Sequence, residues 1–387
     1  MQDTETVQAA TRDARIVRTA IVPHNVADPL RVLKDRLGPD PLEIVFLFVS
    51  PKTSIHALAR RVPAVFGDSQ VIGCTTAGEL SQLGYSDGMI LAMGLPRDSF
   101  CARTLVVGNL SDFDGQRLID SMIQSRHAMQ RAHPTWPHEF NFVLIDGLST
   151  LEDALTAEMA AGLGPVPLFG GSAGDADRFG ETFVLHGGRV LSNAAVLAQV
   201  RTRCRVKVFN TDHFTPTEQR MVVTHASPAQ RVVHEINAEP AAREYARLLK
   251  TTPDQLTTFT FAAHPLVVRL GDQHHVRAIQ RVDENGDLVF FSAIDEGLVL
   301  SLAEPMNMIA HMEDALAELC EAGPPDAILA CECLFRRVEA EQTQITGDIK
   351  KLLKKYKVAG FSTYGEQVNS MHVNQTLTGV AIYPPDG

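Results

Sequence analysis

The chain has 387 residues, of which 45% are hydrophobic and 21% are charged, a composition typical of globular proteins. The formal net charge of -11 argues against a nucleic-acid-binding protein, because the phosphate backbone would repel such a surface. No apolar run reaches the roughly 18 to 20 residues of a membrane-spanning helix, and the polar start MQDTETVQAATRDAR lacks the apolar stretch of a signal peptide. We therefore expect a cytoplasmic protein of two or three domains without membrane contact.

The first half of the chain alternates strand-like and helical segments, which predicts an α/β architecture. The strand-like segments are EIVFLFVSP, QVIGCTTAGEL, GMILAMGLP, FNFVLIDGLS and PLFGGSAGD. The helical segments between them are TSIHALARRVPAVFG, GQRLIDSMIQSRHAMQ and TLEDALTAEMAAGL. Pro63 should bend or shorten the first of these helices, because proline removes a backbone donor.

From about residue 180 strands and hairpins dominate, which predicts antiparallel pairing. MVVTHASPAQRVVHEIN indicates two strands about a Ser-Pro turn, and HHVRAIQRVDENGDLVFFSAI indicates a hairpin with an Asn-Gly turn. A domain boundary is expected near residue 235, before the helix in EPAAREYARLLK. We expect an extension and start of the first domain in 1–39, a first domain in 40–235 and an α+β second domain in 236–387. No short internal repeat is evident, and mixed sheets flanked by helices should form two closely packed domains.

Two glycine-bearing turns carry candidate ligand contacts. VIGCTTAGEL ends a strand near Cys74, Thr75 and Thr76, where a thiol could be a nucleophile or hydroxyls could contact a ligand; a tight strand exit with Cys74 in the core explains the same residues. LFGGSAGD resembles a phosphate cradle, but it matches neither GxxxxGKS/T nor GxGxxG, and Asp175 stands where phosphate needs a donor. Ser172 does not lie in GxSxG, so a hydrolase nucleophile elbow is not expected.

Cys331 and Cys333 lie in the short sequence CEC, which is a poor zinc motif because no CxxC or HxxxH accompanies it. Buried structural cysteines explain at least one of the two thiols. The other could be exposed and open to redox chemistry, which leaves a thiol sensor or thiol enzyme as the third functional hypothesis.

The segment GFSTYGEQVNSMHVNQT, residues 360–376, places many polar groups between the last two predicted strands. If VAGFSTYG continues as a strand, alternation puts Tyr364 and Glu366 on one side and Thr363 and Gly365 on the other. Together with the turn from His372 to Asn374 they would form a polar rim around an apolar hole. A hydrogen-bonded network closing the last strand pair accounts for the same residues equally well.

The order of VIGCTTAGEL, LFGGSAGD, HEINAEPAAREYARLL and GFSTYGEQ with HVNQT resembles the FIST sensory family, from about residue 40 to about residue 380. Within it, FTPTEQRMVVTHA, FAAHPLVVRLG, FFSAIDEGLVL and CECLFRRVE resemble the NosP branch of nitric-oxide-sensing haemoproteins. This resemblance implies N- and C-terminal FIST domains. It also implies a sensory module rather than an enzyme, in which haem b binds nitric oxide and a separate histidine kinase or cyclic-di-GMP enzyme is regulated, a system associated with biofilm control.

A haem ligand would have to be a neutral imidazole in an apolar cavity, with cations near the propionates. His264 in FAAHPLVVRL is expected to be buried and is the first candidate, with Arg269 or Arg277 as the cation, and His372 is the second. The sequence has no CxxCH, so any haem would be held non-covalently.

The alternative within the same family is a module that binds a small metabolite such as an amino acid without haem. Its polar contacts would be Thr75, Asp175, Tyr364 and Glu366. Both versions expect the signal to pass to another protein, because the sequence contains no obvious output domain, and both are compatible with a homodimer.

Overall fold

The chain builds one supersecondary unit three times, in a computed structural model that describes residues 16–271 and 273–385. Each unit runs from an edge strand through a helix, a buried strand, further helix and a second buried strand to a hairpin and a closing strand. The sequence shows no short internal repeat, and the repeated unit is evident only in the structure. The segment MQDTETVQAATRDAR, the start of the expected N-terminal extension, lies outside the described residues.

The elements follow one another in the same order in all three units. The first unit comprises β1 (Arg18–Pro23), α1 (Pro29–Leu37), β2 (Leu42–Val49), α2 (Ile55–Ala59), α3 (Val62–Phe66), β3 (Gln70–Thr75), β4 (Glu79–Ser81), β5 (Gly84–Ser86) and β6 (Met89–Pro96). The second comprises β7 (Phe100–Val107), α4 (Gly115–Ala132), β8 (His138–Ile145), α5 (Glu152–Leu163), β9 (Leu168–Ser172), β10 (Val184–His186), β11 (Arg189–Leu191) and β12 (Ala195–Thr202).

The third unit is interrupted after its first strand by an insertion, residues 214–305. The unit begins with β13 (Val206–Thr211), and the insertion comprises β14 (Phe214–Ser227), β15 (Val232–Ile236), β16 (Glu239–Pro240), α6 (Ala241–Leu248), α7 (Thr258–Ala263), β17 (Leu266–Leu270), β18 (Gln273–Arg277), β19 (Ile279–Val282), β20 (Leu288–Phe290) and β21 (Val299–Pro305). The unit resumes with α8 (Met308–Glu318), β22 (Ala327–Cys333), α9 (Leu334–Gln342), α10 (Thr346–Lys355), β23 (Val358–Thr363), β24 (Glu366–Val368), β25 (Met371–Val373) and β26 (Leu377–Ile382).

Three six-stranded sheets share one topology, and each is completed by a hairpin from another unit. The strand orders are β1-β6-β2-β3-β10-β11, β7-β12-β8-β9-β24-β25 and β13-β26-β22-β23-β4-β5. In each sheet the central pair is parallel and the other pairs are antiparallel. The second unit thus lends its hairpin to the sheet of the first, the third unit to the sheet of the second, and the first unit to the sheet of the third.

Backbone hydrogen bonds tie the ends of β3, β9 and β23 into a ring. Each bond joins equivalent positions of two units: Ala77 N to Ser362 O at 2.9 Å, Gly174 N to Thr75 O at 3.0 Å and Tyr364 N to Ser172 O at 3.4 Å. This ring marks the centre of the molecule, where the carboxyl ends of the three buried strands meet.

Glycine is required where each parallel pair comes closest. A Cβ atom on Gly73, Gly170 or Gly360 would lie 2.0, 2.1 or 1.7 Å from a carbonyl oxygen of the neighbouring strand. Such distances are far below van der Waals contact, so no other residue fits without moving the strands.

The central core lies between the three sheets, and the helices cover their outer faces. Aromatic side chains from different sheets meet there, including Phe48 and Phe361 with ring centroids 4.5 Å apart and Phe46 and Phe142 at 5.0 Å. The outer faces pack against helices of their own unit, which buries both sides of every central strand. The fold class is mixed α/β and α+β with sheets flanked by helices, as the sequence predicted.

The insertion forms its own curved sheet with the strand order β18-β17-β21-β14-β15-β20-β19, with β16 beside β15. The strands about the Ser-Pro turn and the hairpin with the Asn-Gly turn are confirmed here. Residue 235, the expected domain boundary, lies within β15. The predicted helix is split into α2 and α3, and Pro63 lies in the first turn of α3, where its missing N–H is tolerated.

Among the described residues, no helix is both long enough and apolar enough to cross a membrane.

Candidate functional site

The polar segment GFSTYGEQVNSMHVNQT folds into β24 and β25 with a two-residue turn at Asn369 and Ser370. Asn369 has a φ of 52°, a left-handed conformation that asparagine tolerates better than most residues. The turn places Gln367 directly opposite His372. Both side chains are buried, so the hairpin delivers polar groups to the interior.

The expected common side for Tyr364 and Glu366 is wrong, because the strand ends at Thr363 and restarts at Glu366. The hydroxyl of Thr363, expected on the other side, donates to the Glu366 carboxylate. Thr376 donates to the same carboxylate through its backbone N–H at 3.1 Å and its hydroxyl at 2.7 Å. Burial raises the pKa of Glu366 to about 8 despite these bonds. Glu366 therefore has its partners within the protein and closes the strand pair.

Glu79 repeats this arrangement at the equivalent place in the first unit. Its carboxylate accepts from the Thr76 hydroxyl at 2.7 Å and from the Met89 backbone N–H at 3.2 Å. Burial raises its pKa to about 7. Since the same bonds occur at both hairpins, we assign Glu79 and Glu366 to the fold rather than to ligand contact.

Tyr364 and Asp175 lock the long loop that follows β9. The tyrosine hydroxyl donates to the Asp175 carboxylate. The same carboxylate accepts from the backbone N–H groups of Gly180 at 2.9 Å and Glu181 at 3.0 Å. The Tyr364 ring lies 4.7 Å from that of Phe179 and, with Phe291, forms an apolar wall between loop and insertion.

A cluster of buried polar groups without partners lies next to this wall, where the β24–β25 hairpin meets the insertion. We call this region the β24–β25 junction. Within the described part of the chain, the following atoms have no hydrogen-bond partner: Arg277 Nε, Ser292 Oγ, Gln367 Oε1, His372 Nε2, Asn374 Nδ2 and Gln375 Oε1. Buried polar atoms are costly when unpaired, so such a concentration indicates a site for bound water or ligand.

Neighbouring hydrogen bonds fix the orientation of these groups. Gln367 Nε2 donates to His372 Nδ1 at 3.0 Å, which places the histidine hydrogen on Nε2. Asn374 Oδ1 accepts from the Ala278 backbone N–H at 3.4 Å, so its amide nitrogen is the free end. Arg277 Nη1 donates to the His372 carbonyl at 3.3 Å, which holds the guanidinium beside the hairpin.

The free nitrogens of His372 and Asn374 converge on Gly365. A Cβ atom at position 365 would lie 2.7 Å from His372 Nε2 and 3.0 Å from Asn374 Nδ2. Arg277 is held beside the same hairpin by its Nη1 bond to the His372 carbonyl, and its Nε is a further unpaired donor of the junction. Burial lowers the pKa of His372, so the imidazole is neutral at physiological pH.

An ion cluster at the start of α5 borders the junction. Arg231 donates to Glu152 at 2.7 Å, to Asp153 at 3.0 Å and to the carbonyl of Phe291. Asp153 also accepts from the backbone N–H of Ala293 at 3.1 Å. Burial lowers the pKa of Arg277, although Asp153 counteracts this shift. These contacts fasten the insertion to the second unit.

The equivalent region at the β4–β5 hairpin, the β4–β5 junction, is filled differently. Equivalent positions of the two hairpins carry Tyr85 and His372, and Asp87 and Asn374. Arg337 donates to both carboxylate oxygens of Asp87 at 2.9 and 2.8 Å. There the charges of Arg337 and Asp87 satisfy each other, although Tyr85 Oη, like His372 Nε2, is buried without a hydrogen-bond partner.

The other predicted ligand contacts belong to the core. Cys74 is fully buried, and burial raises the pKa of its thiol. The Thr75 hydroxyl accepts from the Phe183 backbone N–H at 3.1 Å, and the Thr76 hydroxyl donates to Glu79.

Cys331 and Cys333 are both buried, so the expectation that one of them is exposed is wrong. Burial raises the pKa of each thiol, which keeps it protonated and unreactive.

His264 caps the C-terminal end of α7 and is half-buried rather than fully buried as expected. Burial lowers its pKa. The two candidate cations are not brought together: Arg277 pairs with Leu266 and Arg269 with His274, so they lie on opposite faces of the β17–β18 hairpin. Arg269 is exposed, whereas Arg277 faces the junction.

The packing around these histidines does not fit a porphyrin. The His372 ring packs against the Gly365 backbone, since a Cβ there would lie 2.2 Å from Cε1 and 2.7 Å from Nε2, and a planar macrocycle on Nε2 would meet that backbone. His264 and His372 line none of four cavities found among the described residues. In the described part of the chain, no three His, Cys, Asp or Glu side chains are grouped to hold a metal ion.

Sequence reasoning missed Gln367, Gln375 and Ser292. The Asn-Ser turn offered a means of finding the first, because a two-residue hairpin turn sets the register that pairs Gln367 with His372. Ser292 lies in an irregular loop of the insertion, and no sequence pattern pointed to it.

Comparison with protein families identifies two domains in this chain. The FIST N domain matches residues 43–239 and the FIST C domain matches residues 241–369. The chain belongs to the FIST family, whose domains point to a role in signal transduction. It is also 24% identical over 358 residues to an uncharacterized protein of Methanocaldococcus jannaschii, an alignment covering 80% of this chain and 67% of that protein.

Proposed function

We propose that this protein is a non-enzymatic sensory module that binds a small carboxylate-bearing metabolite, with an amino acid as the leading candidate, at the β24–β25 junction. The observation that carries the proposal is the group of three buried donors without hydrogen-bond partners at the β24–β25 junction. These donors are Arg277 Nε, His372 Nε2 and Asn374 Nδ2. A carboxylate accepts several hydrogen bonds and pairs well with a guanidinium.

Acceptors in the same region favour an amino acid over a simple carboxylate. Gln367 Oε1 and Gln375 Oε1 are buried without partners, and each amide is oriented by a bond from its nitrogen. An α-ammonium group supplies the donors that such oxygens need. The Tyr364, Phe179 and Phe291 rings provide an apolar surface for a side chain.

The proposal is tested by thermal denaturation with single amino acids and, separately, with acetate and succinate. A ligand present at about a hundredfold excess over its Kd should raise Tm by about 5 °C. Arg277→Ala should abolish this rise, because it removes the cationic donor. Arg281→Ala is the matched control, since Arg281 is an exposed arginine elsewhere in the insertion. A rise that both variants retain would place the ligand elsewhere.

A haem-based nitric oxide sensor is the second candidate, supported by the resemblance to the NosP branch. Its ligand would be His264 or His372, although the packing around both rings argues against it. Protein purified with haem supplied should stay colourless if the metabolite proposal is right. A stoichiometric Soret band that shifts with nitric oxide and disappears in His264→Ala or His372→Ala would replace it with the haem sensor.

The sensory role requires a protein that receives the signal. We propose a separate histidine kinase or cyclic-di-GMP enzyme, as the resemblance implies. Ligand binding shifts a conformational equilibrium only if one state binds more tightly. The insertion is the element that can respond, because it supplies Arg277 and Ser292 to the site.

A further inference from the structure

The hairpin of β14 and β15 carries a hydrogen-bonded row of serine, histidine and aspartate side chains. Ser227 Oγ lies 2.8 Å from His234 Nε2, and His234 Nδ1 lies 2.7 Å from Asp287 Oδ2. The side chains of His234 and Asp287 are 28% and 18% exposed, so the row can be reached from solvent. The ligand site proposed at the β24–β25 junction uses none of these three residues.

Strand register brings the three side chains together. Ser227 pairs with Val232, the first residue of β15, so His234, two residues further along, lies on the same face. Asp287 ends the Asn-Gly turn before β20, and β20 pairs with β15. The Asp287 backbone N–H donates to the Asp283 carboxylate at 3.0 Å, which fixes the aspartate in this turn.

The aspartate determines which histidine nitrogen carries the hydrogen. An ionised carboxylate only accepts hydrogen bonds, so Nδ1 of the neutral His234 ring carries the hydrogen and donates it to Asp287. The lone pair of Nε2 then faces Ser227, whose hydroxyl donates to it. A hydroxyl that contacts a base, where a third group orients that base, is the arrangement that makes serine nucleophilic.

Pro228 follows Ser227 and restricts the reactions open to this nucleophile. In many hydrolases the residue after the nucleophile donates a backbone N–H to the oxyanion of the tetrahedral intermediate, but proline has no N–H. Lacking that donor, the site favours an acyl compound whose leaving group departs as a stable anion. The serine ester that forms has a poorer leaving group, so its hydrolysis is slow and the acyl group stays on the protein.

Aliphatic side chains lie beside the serine on the same face. Val232 is the cross-strand partner of both Ser227 and Val289, so the two valines continue the face on which Ser227 lies. Both valines are partly exposed. The His225 ring is exposed and lies 4.8 Å from the His234 ring. The surface next to the nucleophile therefore suits a short aliphatic acyl group.

We propose that Ser227 is a covalent modification site that accepts a short aliphatic acyl group from an activated acyl donor. The bond from Ser227 Oγ to the carbonyl carbon forms and the bond from that carbon to the leaving group breaks. The hydroxyl proton passes to His234 Nε2 and from there to the departing anion. The product is one acyl ester per chain without turnover, which agrees with a non-enzymatic sensory module.

The modification site is connected to the ion cluster that borders the ligand site. Arg231 follows the turn between β14 and β15, and its guanidinium donates to Glu152 and Asp153 of the second unit. An acyl group on Ser227 would replace the hydroxyl hydrogen that His234 accepts in this hairpin. The proposal goes beyond the proposed ligand binding and does not depend on it.

The test incubates the full chain with p-nitrophenyl acetate and locates the acetyl groups by peptide mass spectrometry. Release of p-nitrophenol should show a burst of about one equivalent per chain, with the acetyl group on Ser227. Ser227→Ala should lose this burst, and His234→Ala should slow it at least about a hundredfold. Ser111→Ala and His127→Ala are the matched controls, because both residues are exposed and lie outside the row, and they should keep the burst of the wild type.

His234→Gln separates a chemical role of the histidine from a structural one, because glutamine can form both hydrogen bonds but is not a base. It should slow the burst as much as His234→Ala, and a burst at the wild-type rate would overturn the proposal. Acetyl groups found only on lysine would also overturn it. Release that continues far beyond one equivalent and is lost in Ser227→Ala would replace the modification site with a hydrolase site.

Discussion

The β4–β5 and β24–β25 junctions are equivalent places in one fold, and they are filled with opposite chemistry. Asp87 is paired with Arg337 in the first, and Arg337 also donates to Glu341 at 2.7 Å. Asn374 takes the place of Asp87 in the second, and its amide nitrogen is unpaired. Both hairpins keep the buried glutamate that closes the strand pair. The glutamate is common to these two hairpins, whereas the donors at His372 and Asn374 are not, which supports assigning those donors to ligand binding.

The largest expected effect concerns what all three units share. Gly360→Ala should destabilise the protein by about 3 kcal/mol, because the new Cβ would lie 1.7 Å from the Ala330 carbonyl oxygen. Gly73→Ala and Gly170→Ala should behave similarly, as measured by urea denaturation. Gly347→Ala serves as the control, since a Cβ there meets nothing within 4 Å. A small effect at any of the three glycines would show that the close approach of the parallel strands is not equally important in all three units.

The second-largest expected effect compares the arginine of each junction, Arg337 and Arg277, by the free energy of unfolding lost on substitution with alanine. Arg337→Ala should lower the free energy of unfolding by about 2 kcal/mol, because it breaks charged hydrogen bonds that are only partly screened by solvent. Arg277→Ala should cost less, about 1 kcal/mol in the absence of ligand, since it loses only the 3.3 Å hydrogen bond from Nη1 to the His372 carbonyl while Nε has no partner. Equal losses in urea denaturation would contradict the view that only one junction is internally satisfied.

The buried carboxyl groups of Glu79 and Glu366 predict that the stability of the protein depends on pH. Folding raises the pKa of Glu366 to about 8 and that of Glu79 to about 7, so the folded state binds these protons more tightly than the unfolded state. Their contribution to stability is greatest below pH 4.5 and is lost as the pH rises towards 7 for Glu79 and 8 for Glu366. Glu366→Gln should therefore flatten the fall in Tm between pH 6 and 8, by a few degrees. An unchanged pH profile would mean that Glu366 is ionised in the folded protein.

The smallest expected effect is at His372. His372→Leu should change the stability of the ligand-free protein by less than about 1 kcal/mol, because it removes the unpaired Nε2 donor and one hydrogen bond from Gln367, whose Nε2 still donates to Ser172. Tyr85→Leu is the counterpart at the equivalent position of the β4–β5 hairpin. Loss of the amino-acid response in His372→Leu, with the response retained in Tyr85→Leu, would assign ligand binding to one junction. Large destabilisation by His372→Leu would instead make the histidine structural.

The sequence predicted the strands and helices better than it predicted which strands pair with one another. The strand ends in VIGCTTAGEL, LFGGSAGD and VAGFSTYG were evident because apolar runs stop at glycine and hydroxyl residues. The exchange of hairpins was not evident from the sequence. Local patterns predict the turn and register of a hairpin, but they do not predict which sheet the hairpin joins. The threefold repeat was hidden for the same reason, because equivalent positions hold different side chains and the insertion separates parts of the third unit.

The candidate site was predicted only in part. His372 and Asn374 were found because polar groups are rare in buried strands. Glu366 was grouped with them because its pairing to Thr363 depends on a break in the strand. Arg269 and Arg277 were placed together because they are close in sequence, whereas the hairpin register separates them onto two faces.

The cyclic exchange of hairpins also bears on how the chain reaches its native state. The sheet containing β4 and β5 is otherwise built from strands beginning with β13, and the sheet containing β8 and β9 is completed by β24 and β25. No unit contains all six strands of its own sheet. During synthesis the β4–β5 hairpin therefore has no sheet to join until the third unit has been made. Contacts of such long sequence separation slow folding, and truncation within the last unit should leave two sheets incomplete.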